Sequence, residues 1–233
     1  MPTDAILIVG ASLTGAVAAE TLRKEGYAGR ITLLGSEVHR PYERPPLSKS
    51  YLQGDADRES LFVHPQPWYA EQSIDLRLGV TATALDVDAH TVTTGDGTRL
   101  GYDQLLLATG SSPRRLTLPG ADLDGIRYLR SIEDSDRIRM DLARARRVVV
   151  VGGGWIGLET AAVARSAGLD VTVLEAAELP LVRVLGPEAA ALFAELHRQH
   201  GVDLRRRVEV ARFVGAAGSV TGVQLGYGEV VAA

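Results

Sequence analysis

The chain has 233 residues, a formal charge of −4 from 25 lysines and arginines against 29 aspartates and glutamates, and 45% hydrophobic residues. That length suits two modest domains, and a mildly acidic balance with no basic stripe argues against a nucleic-acid partner. Cysteine is absent, which removes disulphides, zinc–thiolate sites, iron–sulfur ligation and thiol redox chemistry from these residues. No apolar run approaches a membrane span. Residues 1–10 hold an acid and a glycine turn where a secretory signal needs a basic start and a long apolar run, so the expected location is the cytoplasm.

In chain order, Ile6-Leu7-Ile8-Val9 runs into Gly10-Ala11-Ser12-Leu13-Thr14-Gly15, which predicts a buried strand, a tight turn and a helix closing near Gly26. A second apolar strand, Ile31 to Leu34, follows, with an acid beyond it at Glu37. The prolines of Pro41-Tyr42-Glu43-Arg44-Pro45-Pro46-Leu47-Ser48-Lys49 exclude a central strand or mid-helix and leave a loop of fixed backbone angles. Alternation predicts strands over Asp75 to Ala82, Ala84 to Asp88 and His90 to Thr94, with Gly95-Asp96-Gly97 turning the chain back through Arg99 to Tyr102. Leu105-Leu106-Leu107-Ala108-Thr109-Gly110 reads as a buried parallel strand ending in a glycine turn. Ser111 to Gly125, rich in Pro, Gly and Arg, is the expected hinge between domains 1–112 and 113–233.

Ser131 with Asp134 three residues on marks a helix start, and the helix runs to about Arg144. Val148-Val149-Val150-Val151 then enters Gly152-Gly153-Gly154-Trp155-Ile156-Gly157, repeating the first motif 142 residues later (152 − 10 and 157 − 15). Gly168 matches Gly26, and Val171 to Leu174 with Glu175 matches the second strand and its acid. Pro187-Glu188 opens a last long helix closing near Gly201, and two or three short strands finish the chain.

A strand that ends in a glycine turn and opens a helix aims unpaired backbone N–H groups and a positive helix end at one point, which suits a pyrophosphate. The acid beyond the second strand accepts hydrogen bonds from a ribose diol. Two copies in this context imply two dinucleotides. Glu175 would also repel a 2′-phosphate, and Ala176-Ala177-Glu178-Leu179 supplies no base to neutralise one, so NADH is expected over NADPH. Arg183 is the nearest basic residue, able to reach the outer edge of the nucleotide but as a surface arginine neutral for specificity. His197 and His200, spaced i, i+3, lack a nearby third ligand, and His39, His64 and His90 are scattered, so no metal site is expected.

The two glycine loops, Arg44-Pro45-Pro46-Leu47-Ser48-Lys49 and the Ala108-Thr109-Gly110 strand end resemble those of the NADH-dependent ferredoxin reductases of oxygenase systems. These are two-dinucleotide flavoproteins that include the putidaredoxin, rubredoxin and biphenyl-dioxygenase reductases. The resemblance covers essentially the whole chain and implies an α/β fold of two Rossmann-like, three-layer dinucleotide-binding domains. It implies FAD on the first loop (Gly10, Ser12, Leu13, Thr14, Gly15), with Glu37 at the adenosine ribose, the backbone around Val80 at the adenine, and Ala108, Thr109 and Gly110 nearby. Relatives usually carry an acid at the position of Ser36, which leaves the division of the ribose role between Ser36 and Glu37 open, and a glycine at that of Ser12.

The resemblance further implies that Arg44 binds phosphate, with Pro45 beside it, and that Arg130 contacts the flavin. On their own terms both arginines are ordinary exposed charges. It implies that Lys49 pairs with Glu159 at the flavin N5, joining the two domains, although an acid in the first turn of a helix is favourable without any function. Trp155, where many relatives have tyrosine, either stacks on the flavin until nicotinamide arrives or simply packs on its helix. The resemblance implies NADH on the second loop (Gly152, Gly153, Gly154, Trp155, Ile156, Gly157), a hydride passing from it to FAD, and single electrons going on to a 2Fe–2S ferredoxin-type protein or rubredoxin.

Relatives continue beyond residue 233 with chain that completes the FAD domain, so this chain reads as truncated, with an incomplete second domain. Two alternatives stand: a non-catalytic nucleotide-binding fragment, or an NADH sensor like apoptosis-inducing factor, which shares a similar proline loop. The oligomeric state is open.

Overall fold

The computed structural model describes residues 4–233. In chain order these form β1 (Ala5–Val9), α1 (Leu13–Lys24), β2 (Arg30–Leu34), α2 (Ser50–Gln53), α3 (Gln66–Glu71), β3 (Ile74–Arg77), β4 (Ala82–Asp86), β5 (Thr91–Thr94), β6 (Arg99–Gly101) and β7 (Gln104–Leu107). They continue with α4 (Ile132–Leu142), β8 (Arg147–Val151), α5 (Trp155–Ser166), β9 (Asp170–Glu175), α6 (Val182–Gln199), β10 (Asp203–Arg206), β11 (Val210–Ala216), β12 (Ser219–Leu225) and β13 (Val230–Ala232). The chain divides into two compact units. Residues up to Glu43 with Arg58–Ser112 make the first, and Arg44–Asp57 with Pro113–Ala233 the second.

The first unit is built on a parallel four-stranded sheet ordered β3-β2-β1-β7. All five residues of β1 are buried, which is why the strand is a continuous apolar run and not an alternating one. One face packs Ile6, Ile8, Ile31 and Leu33 against Ala19, Leu22 and Tyr69 of α1 and α3. The other packs Leu7, Val9 and Leu34 against Val92 and Leu100 of the antiparallel β4-β5-β6 layer and Tyr102 just after it. Each fully buried aliphatic, such as Ile8 and Leu33, contributes about 1.5–3 kcal/mol. The strand expected over Asp75 to Ala82 stops at Arg77. Gly79 takes φ +69° and Val80 N–H turns back to the Gly35 carbonyl at 2.9 Å, so the ladder cannot continue.

The second unit repeats the plan with a parallel sheet ordered β10-β9-β8 and an antiparallel layer β11-β12-β13. Leu158, Ala161 and Ala164 of α5 pack on Val171 and Val173, while Leu174 faces Phe213, Val223 and Leu225 of the antiparallel layer. Four strands follow Gly201, one more than expected. The long final helix contains a break at Gly186 (φ +75°, ψ 171°), directly before Pro187. The region expected to be a hinge is structured from Leu116 onward. Leu116, Leu118, Leu123 and Ile126 join the second unit's core, and Phe213 N–H donates to the Pro119 carbonyl at 2.9 Å.

The division differs from a single cut at 112/113 in one segment. Residues 44–57, expected with the first domain, belong to the second unit. Leu52 packs with Ile138 and Val163, the buried Ser135 hydroxyl donates to the Leu47 carbonyl at 2.8 Å, and Tyr51 donates to Asp136 at 2.7 Å.

Candidate functional site

The two glycine loops share their turn, their strand-end hydrogen bond and their closing glycine. Gly10 (φ +125°) and Gly152 (φ +104°) make the turn, and their N–H groups donate to the ends of the neighbouring strands, Leu34 at 2.7 Å and Leu174 at 2.8 Å. A Cβ at Gly15 would stand 2.1 Å from the Gly10 carbonyl oxygen, and one at Gly157 2.1 Å from that of Gly152. Only glycine permits this approach of helix to strand end. Ser12 and Gly154 are the equivalent N-cap residues, and both are extended. The Ala108 carbonyl lies so close to Gly10 that a Cβ there would meet it at 2.0 Å, which sets the strand end carrying Thr109 and Gly110 directly beside the first loop.

The first N–H groups of a helix have no partner within it, and α4 closes its end with side chains. Ser131 and Asp134 form a reciprocal capping box, with Glu133 and Asp134 in the first turn. Neither α1 nor α5 has a side-chain cap or an acid in its first turn. Both positive helix ends, with Leu13 and Thr14 on one and Trp155 and Ile156 on the other, are left for an outside anion. A Cβ at Gly154 would meet nothing within 4 Å. These helix-end donors, Leu13 and Thr14 in one copy and Trp155 and Ile156 in the other, fit a dinucleotide pyrophosphate, while the loop N–H of Gly153 is donated to Glu175.

The strand-end acids are not equivalent. The register pairs Val9 with Leu34 and Val151 with Leu174, so Glu175 corresponds to Gly35, and Glu37 lies two residues farther on. Glu175 Oε2 accepts from Gly153 N–H and Oε1 from Ala177 N–H, each at 2.7 Å. Glu37 accepts from the buried Tyr42 hydroxyl at 2.5 Å, while Ser36 is exposed. Val80 packs its side chain with Leu7, Val9 and Leu34, beneath the same strand ends.

In the second unit, Lys49 Nζ pairs with Glu159 Oε1 at 2.8 Å. The other carboxylate oxygen, Oε2, accepts from the Ser48 hydroxyl at 2.5 Å. Sequence reasoning missed Ser48. Its neighbours Lys49 and Pro45 carried the signal, and a serine at the end of a Pro-Pro turn has no spacing that points 111 residues ahead. Glu159 is the fifth residue of α5, past the first turn, so the dipole account of its presence does not hold. Arg44 donates to the Arg130 carbonyl at 2.6 Å, and Arg130 N–H is held by Asp134 at 3.0 Å, which places both arginines at the start of α4.

Trp155 is 44% exposed and meets Phe193 edge-on at 5.6 Å between ring centroids. Arg183 is exposed at the start of α6. His197 and His200 turn their rings to backbone carbonyls: His197 to Phe193 and Leu158, and His200 to Leu196. The fold also brings Arg207 beside the loop after β9, where it pairs with Glu178 at 2.6 Å. Sequence proximity could not show this base.

Comparison with known proteins places these features. Residues 4–233 match the family model described as pyridine nucleotide-disulphide oxidoreductase. The chain is 42% identical over 226 residues to rhodocoxin reductase of Rhodococcus erythropolis, covering 97% of this chain and 53% of that protein. It is 43% identical over 213 residues to putidaredoxin reductase of Pseudomonas putida, covering 90% and 50%. The reductase in the crystal structure of a covalent putidaredoxin reductase–putidaredoxin complex superposes with a TM-score of 0.95 at 41% identity, over 99% of this chain and 56% of that one. The chain thus spans about half the length of the curated relatives it matches. With a family match running over all the described residues and the doubled strand–glycine–helix unit in both halves, the chain belongs to the pyridine nucleotide-disulphide oxidoreductase family.

Proposed function

We propose that this chain is the nucleotide-binding part of an NADH-dependent reductase that serves a 2Fe–2S ferredoxin-type protein or rubredoxin in the cytoplasm. The observation that carries the reading is the pair of matched strand–glycine–helix loops, in which Gly15 and Gly157 alone permit each helix to approach its strand end and leave its first N–H groups uncapped. FAD is assigned to the first copy and NADH to the second, by resemblance to the reductases. When bound, FAD would supply the chemistry, taking a hydride from NADH and passing electrons on singly.

The residues of the chain hold and orient. Gly10 to Gly15 would take the FAD pyrophosphate on α1 N–H groups, and Glu37, held by Tyr42, would accept from the adenosine ribose. Lys49 is the proposed charge at the reacting end, and Glu159 sets where that charge sits. Arg44 and Arg130 are proposed flavin-nucleotide contacts, and Gly152 to Gly157 the NADH cradle. Glu175 would select NADH by repelling a 2′-phosphate. Folding adds two bases beside this loop, Arg207, which pairs with Glu178 at the surface, and Arg206, whose guanidinium donates to the Glu178 carbonyl. These residues contain no cysteine, so electrons leave to a separate acceptor.

The test is spectroscopic. The purified 233-residue chain, mixed with FAD and freed of excess, should retain a yellow flavin band that bleaches on adding NADH and recovers with an oxidised ferredoxin-type acceptor. A colourless protein after FAD treatment removes the reading for this chain, and a long-lived charge-transfer band with slow recovery points to a sensor.

A further inference from the structure

The loop and the strand end exchange bulk between the two copies. In the first, Ala11 occupies the second loop position and Gly35 the strand end, and a Cβ at Gly35 would meet the Ala11 Cβ at 2.5 Å. In the second, the loop carries Gly153 and the strand end carries Glu175. A Cβ at Gly153 would stand 3.0 Å from Glu175 Oε2 and 2.9 Å from the Pro180 Cβ. A Cβ at Gly153 would therefore crowd Glu175 Oε2, which could stay only by shifting from its present place.

From this exchange we infer that Gly153 is a positioning residue for nucleotide selection, acting through Glu175. Its missing side chain makes room for the carboxylate. Its N–H, donated to Oε2 at 2.7 Å, and that of Ala177, donated to Oε1 at 2.7 Å, fix both oxygens. Each carboxylate oxygen keeps a second lone pair for a ribose hydroxyl. In the first copy the same position is closed to any side chain, and the acid stands two residues later on a different anchor, Tyr42. The glycine at the second loop position therefore lets the carboxylate stand where both backbone N–H groups reach it. The inference rests on the proposed reading that Glu175 discriminates against a 2′-phosphate.

The experiment titrates ADP-ribose and 2′-phospho-ADP-ribose into the full 233-residue chain and its variants, and reads the ratio of dissociation constants. Gly153→Ala should shrink the preference for ADP-ribose roughly tenfold, the worth of one hydrogen bond to a charged group, and Glu175→Ala should do the same. Gly154→Ala points into open space at the pyrophosphate and should weaken both ligands equally, leaving the ratio unchanged. If Glu175→Ala relaxes the ratio and Gly153→Ala does not, the inference is overturned and the reading survives. If Glu175→Ala leaves the ratio as it was, the reading fails and takes the inference with it. Thermal melting supplies a readout independent of nucleotide. Gly153→Ala should lower the melting temperature less in a Glu175→Gly background, which recreates the Ala/Gly pairing of the first copy. Equal losses in both backgrounds overturn the steric coupling.

Discussion

Ser48 shows how magnitudes rank two groups that hold one carboxylate. Lys49 is 51% exposed, and an ion pair at such a position contributes about 0–1 kcal/mol after solvent screening. Ser48 is 4% exposed and donates a hydrogen bond to the same charged group, a contact contributing about 1.5–3 kcal/mol. The serine, not the lysine, is therefore the anchor of Glu159. Urea unfolding should show Ser48→Ala losing about 1–3 kcal/mol and Lys49→Met less than about 1 kcal/mol. A larger loss for Lys49→Met would reverse this ranking.

The legibility of these residues follows from the same physics. Lys49 and Glu159 were readable because they belong to a resembling motif, whereas Ser48 acts through a contact that only the folded Pro45–Ser48 turn creates. Glu37 and Glu175 looked alike in sequence. Backbone register separates them, since a shift of two residues along a strand end keeps the residue type and changes the anchor.

At the scale of elements, two serines at helix starts have opposite duties. Ser131 accepts from Asp134 N–H and completes a capping box, while Ser12 makes no cap bond to α1. Replacing a working N-cap serine by alanine costs about 1 kcal/mol. Ser131→Ala should therefore lose about 1 kcal/mol and Ser12→Ala less than half of that, measured by chemical denaturation of each variant. Equal losses would mean that Ser12 caps α1 in solution, and the contrast between open and closed helix ends would fail. The strands and helices themselves were readable where the pattern is local: the apolar β1 and β8 runs, the Ser131–Asp134 start, the Pro187 restart within α6. They were misread where a distant partner ends an element. Gly35, far from it in sequence, captures Val80 N–H and stops β3 at Arg77.

For the molecule as a whole, the doubled plan was legible from two matching glycine loops. The membership of residues 44–57 was not, because packing of Leu52 on Ile138 and Val163 outweighs sequence proximity. The whole-molecule response to acid follows from charges spread over both units. In the first, Glu20 is held below its ordinary value of 4.5 by the Lys24 hydrogen bond, and Asp96 below 3.8 by the Thr94 hydroxyl. In the second, Arg127 lowers Asp124 below 3.8 and Arg205 lowers Glu229 below 4.5.

A carboxylate with a folded pKa below its unfolded one contributes stability that is present above the unfolded value and lost as pH falls through the folded value. Stability against urea should therefore stay level through neutral pH and decline from about pH 4.5 downward. As carboxylates are neutralised, the chain's 25 lysines and arginines and 5 histidines add self-repulsion in the same direction. Salt separates the two causes, because it screens the long-range repulsion and does not restore a protonated partner. With added salt the decline should become shallower but persist, and Glu229→Gln should flatten it further. A pH profile unchanged by Glu229→Gln would mean that the Arg205–Glu229 pair contributes nothing to the response to acid.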